Sequence, residues 1–227
     1  MIKATVFDLD HTLFDRYETI RKIVPGLREH FDLNEGVTDE VFAEELCYGD
    51  KHNVHKGWEG IHKHLISKGI FKTVPDFSEY TKILISHFKN VAVKYDFSES
   101  VLKDLKNSGY KVGLITNGDP VLQHKKLEML GLEASFDEII VSGETPYEKP
   151  QKEIFLMMAE KLNITPGEMM YIGDHPLNDV DGARNAGCVP VWVKTTGTWI
   201  FPEIPKPPLQ IETVAELPEL LRKINKD

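Results

Sequence analysis

From residue 98 onward, helical and strand patterns alternate, and that alternation leaves few folds open. Residues 98–108 read as a helix ending near Gly109, and 111–115 as a strand. Asp119 and Pro120 open a helix that Gly131 stops, and 138–141 is a strand. Pro150 presets the first turn of a helix reaching Leu162. Thr165-Pro166-Gly167-Glu168 has the form of a capping box before a strand over 169–172. Residues 178–186 read as a helix ended by Gly187, followed by a strand over 188–193. The proline-rich stretch 199–208 reads as a rigid surface loop, and Thr213 with Glu216 opens a last helix bearing Leu217, Leu220, Leu221 and Ile224. Alternating strands and helices predict an α/β domain, a parallel sheet with helices on both faces.

The first strand belongs to the same sheet but stands apart from it in the chain. Ile2, Ala4, Val6 and Phe7 lead into Asp8 and Asp10. A buried strand that ends in acids is costly unless the acids are paired or hold a metal. Side chains at i and i+2 share a face, so Asp8 and Asp10 are expected to emerge together at the carboxyl end, where open α/β sheets bind ligands. Between this strand and the next, the pattern is helical throughout. Residues 17–31 form one candidate that Pro25 bends or divides. Thr38 caps a second, 58–68 is a third closed by Gly69, and 76–89 carries Phe77, Tyr80, Leu84 and Phe88 at helical spacing. The expected organisation is a core of 1–15 and 97–227, with an all-helical insertion over 16–96. An insertion entering beside the two aspartates is placed to act as a lid.

The chain has 227 residues, 28% of them charged, and a net charge of −9. That balance argues against nucleic acid as a partner, since such binding relies on basic surface. An anionic small substrate would need a metal or a few local cations. Cys47 and Cys188 lie far apart with no ligand spacing, which favours reduced thiols. No signal peptide and no membrane span is visible, and a cytoplasmic location is expected. Monomer and homodimer are equally compatible with the pattern.

Three more strand ends carry polar groups. Thr116-Asn117-Gly118 suits an anion, through a hydroxyl, backbone N–H groups and the following helix N-terminus; taken singly it is also an ordinary turn. Lys149, before Pro150, is positioned to neutralise buried carboxylates or bind phosphate, although a lone lysine is by default a surface residue. Gly173-Asp174, with Asp179 five residues beyond Asp174, adds two further acids; Asp179 also reads as a helix N-terminal acid. Oxygen-only ligands favour Mg²⁺.

Taken together, Asp8-Leu9-Asp10-His11-Thr12, Thr116-Asn117-Gly118, Lys149-Pro150 and Gly173-Asp174 with Asp179 resemble the four motifs of the haloacid dehalogenase-like hydrolases, in that family's order and across the whole chain. The resemblance implies a Rossmann-like, doubly wound sheet, and a helical cap in the manner of subfamily I. It implies an Mg²⁺-dependent phosphatase acting on a small phosphorylated metabolite. In that reading Asp8 is the nucleophile that forms an aspartyl-phosphate, and Asp10 protonates the leaving alcohol and then activates water. Asp8, Asp174 and the Asp10 backbone carbonyl hold the metal, with Asp179 in support. Thr116, Asn117 and Lys149 hold the phosphoryl group, and Lys149 also orients Asp8. A 2-haloacid dehalogenase would use the same nucleophile but has no need of an acid at Asp10. A phosphomutase shares the same residues, and a non-catalytic binding protein would not need the full set. A phosphonatase would need a cap lysine, and nothing marks Lys51 or Lys56 as one. His52, His55, His62 and His64 crowd around Trp58 and read as surface histidines, while His11 and His175 are expected to line the site with no assigned role.

Overall fold

The computed structural model describes residues 1–53, 57–195 and 199–224. The chain forms two compact units, Met1–Asp15 with Lys94–Asp227, and Arg16–Val93. In chain order, β1 (Ala4–Phe7) is followed by the helices of the inserted unit: α1 (Arg16–Arg28), α2 (Asp39–Asn53), α3 (Gly57–Ser67) and α4 (Phe77–Phe88). The first unit then resumes with α5 (Ser98–Asn107), β2 (Lys111–Thr116), α6 (Pro120–Leu130), β3 (Glu138–Val141) and α7 (Lys152–Lys161). It ends with β4 (Met169–Gly173), α8 (Gly182–Asn185), β5 (Val189–Val193), β6 (Leu209–Ile211) and α9 (Leu217–Ile224). Residues 94–96 join the first unit for a local reason. Lys94 bridges to Phe14, and the Tyr95 N–H donates to Leu13 O at 3.3 Å.

The six strands run in the order β3-β2-β1-β4-β5-β6, and every neighbouring pair is parallel. All four residues of β1 are buried, as a strand flanked on both edges and both faces requires. Phe7 sits opposite Leu114 of β2 and Ile172 of β4. From β1 the chain adds strands first on one side and then on the other. The doubly wound α/β fold therefore has its switch point at β1, and the carboxyl ends there are the expected ligand crevice. Ala4 and Val6 of β1, Ile115, Ile140, Met169 and Tyr171 pack with Ile154, Phe155 and Met158 of α7 and Ala183 of α8. Elsewhere on the sheet, α5 packs on β2 and on α9.

Three details differ from the sequence pattern. The stretch read as a surface loop leads into β6, a three-residue edge strand paired with β5. Helix α7 begins at Lys152 rather than Pro150; the Lys149–Pro150 peptide is cis, within a turn closed by Gln151 N–H to Glu148 O at 2.8 Å. The helix read over 178–186 is a wide π-helical turn, Pro176–Asp181, followed by the short α8.

The inserted unit has its own apolar core, built from Ile20, Ile23, Val24 and Leu27 of α1 with Phe42, Leu46, Ile61, Leu65, Tyr80 and Leu84. Helix α1 continues through Pro25 to Arg28, because its buried stripe lies on both sides of the proline and packing offsets the missing hydrogen bond. Asp76 caps α4, accepting from the Ser78 N–H at 2.8 Å. The histidines divide. His62 is in this core, 6% exposed and stacked on Tyr80, rather than on the surface. His64 binds Glu45 at 2.6 Å, and Tyr48 stacks on both His52 and His64. His55 and Lys56 lie outside the described residues. No described helix is long and apolar enough to cross a membrane.

Candidate active site

The first unit carries every motif residue at the carboxyl ends of β1, β2 and β4 or in the turn before α7. Asp8 continues the β1 ladder, its N–H donating to Ile172 O at 2.9 Å. The chain then coils: the N–H groups of Thr12, Leu13 and Phe14 all converge on Leu9 O, and His11 adopts a φ of 61°. A left-handed histidine is uncommon and marks a backbone held in place by its surroundings. The coil also ends the strand geometry, so Asp8 and Asp10 make different contacts, although the Asp10 charge is near enough to push the Asp8 carboxyl upward.

Lys149 is the hub. It is 4% exposed, and its ammonium donates to Asp8 Oδ1 at 2.5 Å, to Asp179 Oδ1 at 2.7 Å and to the Tyr171 hydroxyl at 3.0 Å. The Tyr171 O–H donates onward to Ile115 O at 3.2 Å. Removing the lysine would leave Asp8 and Asp179 buried without their cation, at a cost of about 3–5 kcal/mol for such a pair. Asp179 is 1% exposed; its second oxygen accepts the His175 N–H at 2.9 Å. Asp179 fits there because β4 ends in glycine: a Cβ on Gly173 would fall on its carboxyl group.

Asp174 completes the cluster. Oxygens of Asp8, Asp174 and Asp179 lie within 4.8 Å of one another, and this is the metal-competent group among the described residues. Three buried carboxylates share one ammonium. Burial pushes the Asp8 carboxyl up to about 7, against the pull of Lys149 and with the push of Asp179 and Asp10. Asp174 is raised well above the usual carboxylate range, first by burial and then by Asp179 and Asp8. Lys149 is raised well above the ordinary lysine value, its two carboxylates outweighing its own burial. A cluster with more carboxylates than cations, whose candidate ligand atoms are all carboxylate oxygens, suits a hard divalent cation.

Asn117 is occupied differently from the phosphate contact expected of its side chain. Its amide donates to Lys149 O at 2.9 Å and accepts the Lys149 N–H at 2.9 Å. It fixes the turn that carries Lys149. Thr116, 1% exposed, ends β2, and its Oγ1 accepts from Gln123 Nε2 at 2.5 Å. His175 uses Nδ1 to cap the π-helical turn, accepting from the N–H groups of Leu177 and Asn178. Sequence reasoning missed three members of the network. Tyr171 lies inside an apolar strand, where a tyrosine reads as core. Gln123 and Lys126 lie on α6 within the polar run Gln123-His124-Lys125-Lys126, which carries no motif. The only signal was the missing apolar stripe on a helix that must pack.

The family model described as haloacid dehalogenase-like hydrolase matches residues 5–193. Among curated proteins, the chain is 30% identical to the glyceraldehyde 3-phosphate phosphatase of Methanopyrus kandleri, with 100% of each chain covered. It is 36% identical to the N-acylneuraminate-9-phosphatase of Rattus norvegicus, over 99% of this chain and 95% of the relative. Among solved structures, the HAD-hydrolase YfnB of Bacillus subtilis, bound to magnesium, has the same fold, with a TM-score of 0.79 at 22% identity over 97% of this chain and 98% of that one. The chain is a hydrolase and belongs to the haloacid dehalogenase-like family.

Proposed function

We propose that this protein is an Mg²⁺-dependent phosphatase that hydrolyses a small phosphorylated metabolite through an aspartyl-phosphate on Asp8. The observation that carries it is the buried lysine joining Asp8 to Asp179 beside Asp174. An Asp8 oxygen attacks phosphorus, the phosphorus–ester oxygen bond breaks, and the Asp10 carboxyl gives its proton to the departing alkoxide. Water then attacks phosphorus, gives a proton to the Asp10 carboxylate, and the bond to Asp8 breaks to release phosphate. Lys149 orients Asp8 and, with the Thr116 hydroxyl, holds phosphoryl oxygens. Asn117 serves by fixing the Lys149 turn. Asp8, Asp174 and the Asp10 backbone carbonyl hold Mg²⁺, with Asp179 supporting both Lys149 and the His175 turn. Bound there, the ion offsets the negative charge that Asp8 and the phosphoryl oxygens bring together. The inserted helical unit is assigned the role of cap and source of substrate discrimination.

The phosphatase names of the two full-length relatives support this reading, and so does Asp10. A halide leaves without a proton, so a dehalogenase has no use for an acid there. Asp8→Asn is the direct test. The purified variant is expected to fold and to lose phosphate release from a phosphorylated-metabolite panel; near wild-type turnover would sink the covalent mechanism. The metal has a separate readout. Mg²⁺ is expected to raise the melting temperature of the wild-type protein by mass action, and Asp174→Asn to remove that rise. An equal rise in both proteins would place the ion elsewhere.

A further inference from the structure

We propose that Gln123 and Lys126 are positioning residues for Asp10, and that α6 thereby ties the proton-transfer group to the phosphoryl-binding strand end. The inference rests on the phosphatase reading above. Helix α6 is fixed at both ends: Asp119 accepts the Leu122 N–H at 3.0 Å, and Gly131 closes it with a φ of 66°. Gln123 and Lys126 are three apart and so share a face, and both are buried, at 4% and 8% exposure. A lysine is almost never buried without a partner. Here the ammonium lies 2.9 Å from each Asp10 carboxylate oxygen and 4.6 Å from the centre of the Phe14 ring. Its aliphatic stem and its charge are both used.

Gln123 adds the link. Its Nε2 faces Asp10 Oδ2 at 3.3 Å, Thr116 Oγ1 at 2.5 Å and Asn117 O at 3.0 Å. Because Thr116 accepts from this amide, its own O–H is directed to another acceptor, as a phosphoryl-binding hydroxyl must be. One helix face therefore sets the Asp10 rotamer and the Thr116 hydroxyl together. Position matters most at Asp10, since proton delivery to a leaving oxygen needs hydrogen-bond geometry. Neither residue contacts the scissile bond in this account; each acts through Asp10 or Thr116.

The leaving group supplies the test. An alkoxide needs the Asp10 proton as the ester bond breaks, whereas p-nitrophenolate does not. The ratio kcat/KM reports steps through that cleavage, so it isolates proton delivery from later water attack. Wild type, Lys126→Met, Lys126→Arg and Gln123→Met are assayed on p-nitrophenyl phosphate and on the alkyl phosphate that wild type hydrolyses fastest, with Asp10→Asn as reference. Lys126→Met is expected to lose roughly 100-fold in kcat/KM on the alkyl ester and under roughly 10-fold on the aryl ester. That is the Asp10→Asn pattern, and Lys126→Arg should recover most of the difference. Equal losses on both esters, or no loss, would overturn the positioning role. If Lys126→Met does not fold, Gln123→Met decides by the same ratio. Inert wild type, or active Asp8→Asn, would instead overturn the phosphatase reading itself.

Discussion

Gly173 is the residue at which backbone and site chemistry meet most closely. A Cβ built there would lie 2.5 Å from Asp179 Oδ2, nearer than a Cβ approaches any non-bonded atom. No glycine dihedral is needed at this position; the demand is for space. Asp179 must sit there to receive the Lys149 ammonium on one oxygen and the His175 N–H on the other. Gly173→Ala should push Asp179 away, and Lys149 with it. Overpacking of this size typically costs about 1–3 kcal/mol, and a misplacement near 1 Å can cost about 100-fold in rate. The expected outcome is a folded protein with a lowered melting temperature and kcat down by roughly two orders of magnitude. Wild-type kcat in Gly173→Ala would show that Asp179 does not set the position of Lys149. An acid ending a buried strand is conspicuous, which singled out Asp8 and Asp174, whereas Lys149 stood out by its place before Pro150. The Asn117 side chain was not, because an amide at a strand end suits a phosphate and a neighbouring backbone equally well until the turn carrying Lys149 is folded beside it.

At the scale of elements, the clearest mismatch between pattern and packing is α3. His62 is buried against Phe71 and Tyr80, with the exposed Phe77 beside it and its ring stacked on Tyr80 at 4.6 Å. Its Nε2 has no hydrogen-bond partner among the described residues. Burial lowers its pKa below the ordinary 6.5, against smaller upward pulls from a hydrogen bond to Pro75 and from Asp76. The unfolded chain therefore binds this proton more readily than the folded one. Stability from neutral His62 is complete above pH 6.5 and is lost as pH falls from there through the folded value. Melting temperature should drop between pH 7 and pH 5, and His62→Phe should flatten that part of the profile. An unchanged slope in His62→Phe would assign the acid sensitivity to other groups. Elements with end signals were readable in advance: Asp119 and Gly131 bound α6, and Thr165 with Glu168 and Thr213 with Glu216 form the capping boxes. Those without such signals were not. β6 is three residues directly after a proline-rich run, held by pairing with β5 rather than by propensity, and Gln123 and Lys126 show no role until Asp10 is placed beside them.

For the whole molecule, the division of labour between the two units can be tested by removing one. Asp8, Asp10, Thr116, Asn117, Gln123, Lys126, Lys149, Asp174 and Asp179 all belong to the unit formed by Met1–Asp15 and Lys94–Asp227. The core cluster that packs on α7 and α8 draws only on that unit, and the cluster around Tyr80 only on Arg16–Val93. The break points are neighbours, since Phe14 and Lys94 form an antiparallel bridge. Directly opposed residues in such a pair lie about 4.5–5.5 Å apart, so a short linker spans them without strain. Replacing residues 16–93 by a few Gly and Ser residues should give a folded α/β unit whose Mg²⁺-dependent rise in melting temperature survives. It should hydrolyse p-nitrophenyl phosphate weakly, because the residues proposed as nucleophile, proton donor and phosphoryl-binding groups all lie in that unit. Discrimination is a different quantity, a difference between transition-state affinities for competing esters. If the helical unit supplies the contacts to the leaving group, the deletion should bring kcat/KM for the members of a metabolite-phosphate panel to within about tenfold of one another, the scale of a single lost apolar contact. A soluble deletion that kept the full-length ranking of substrates would show instead that the α/β unit alone selects the ester.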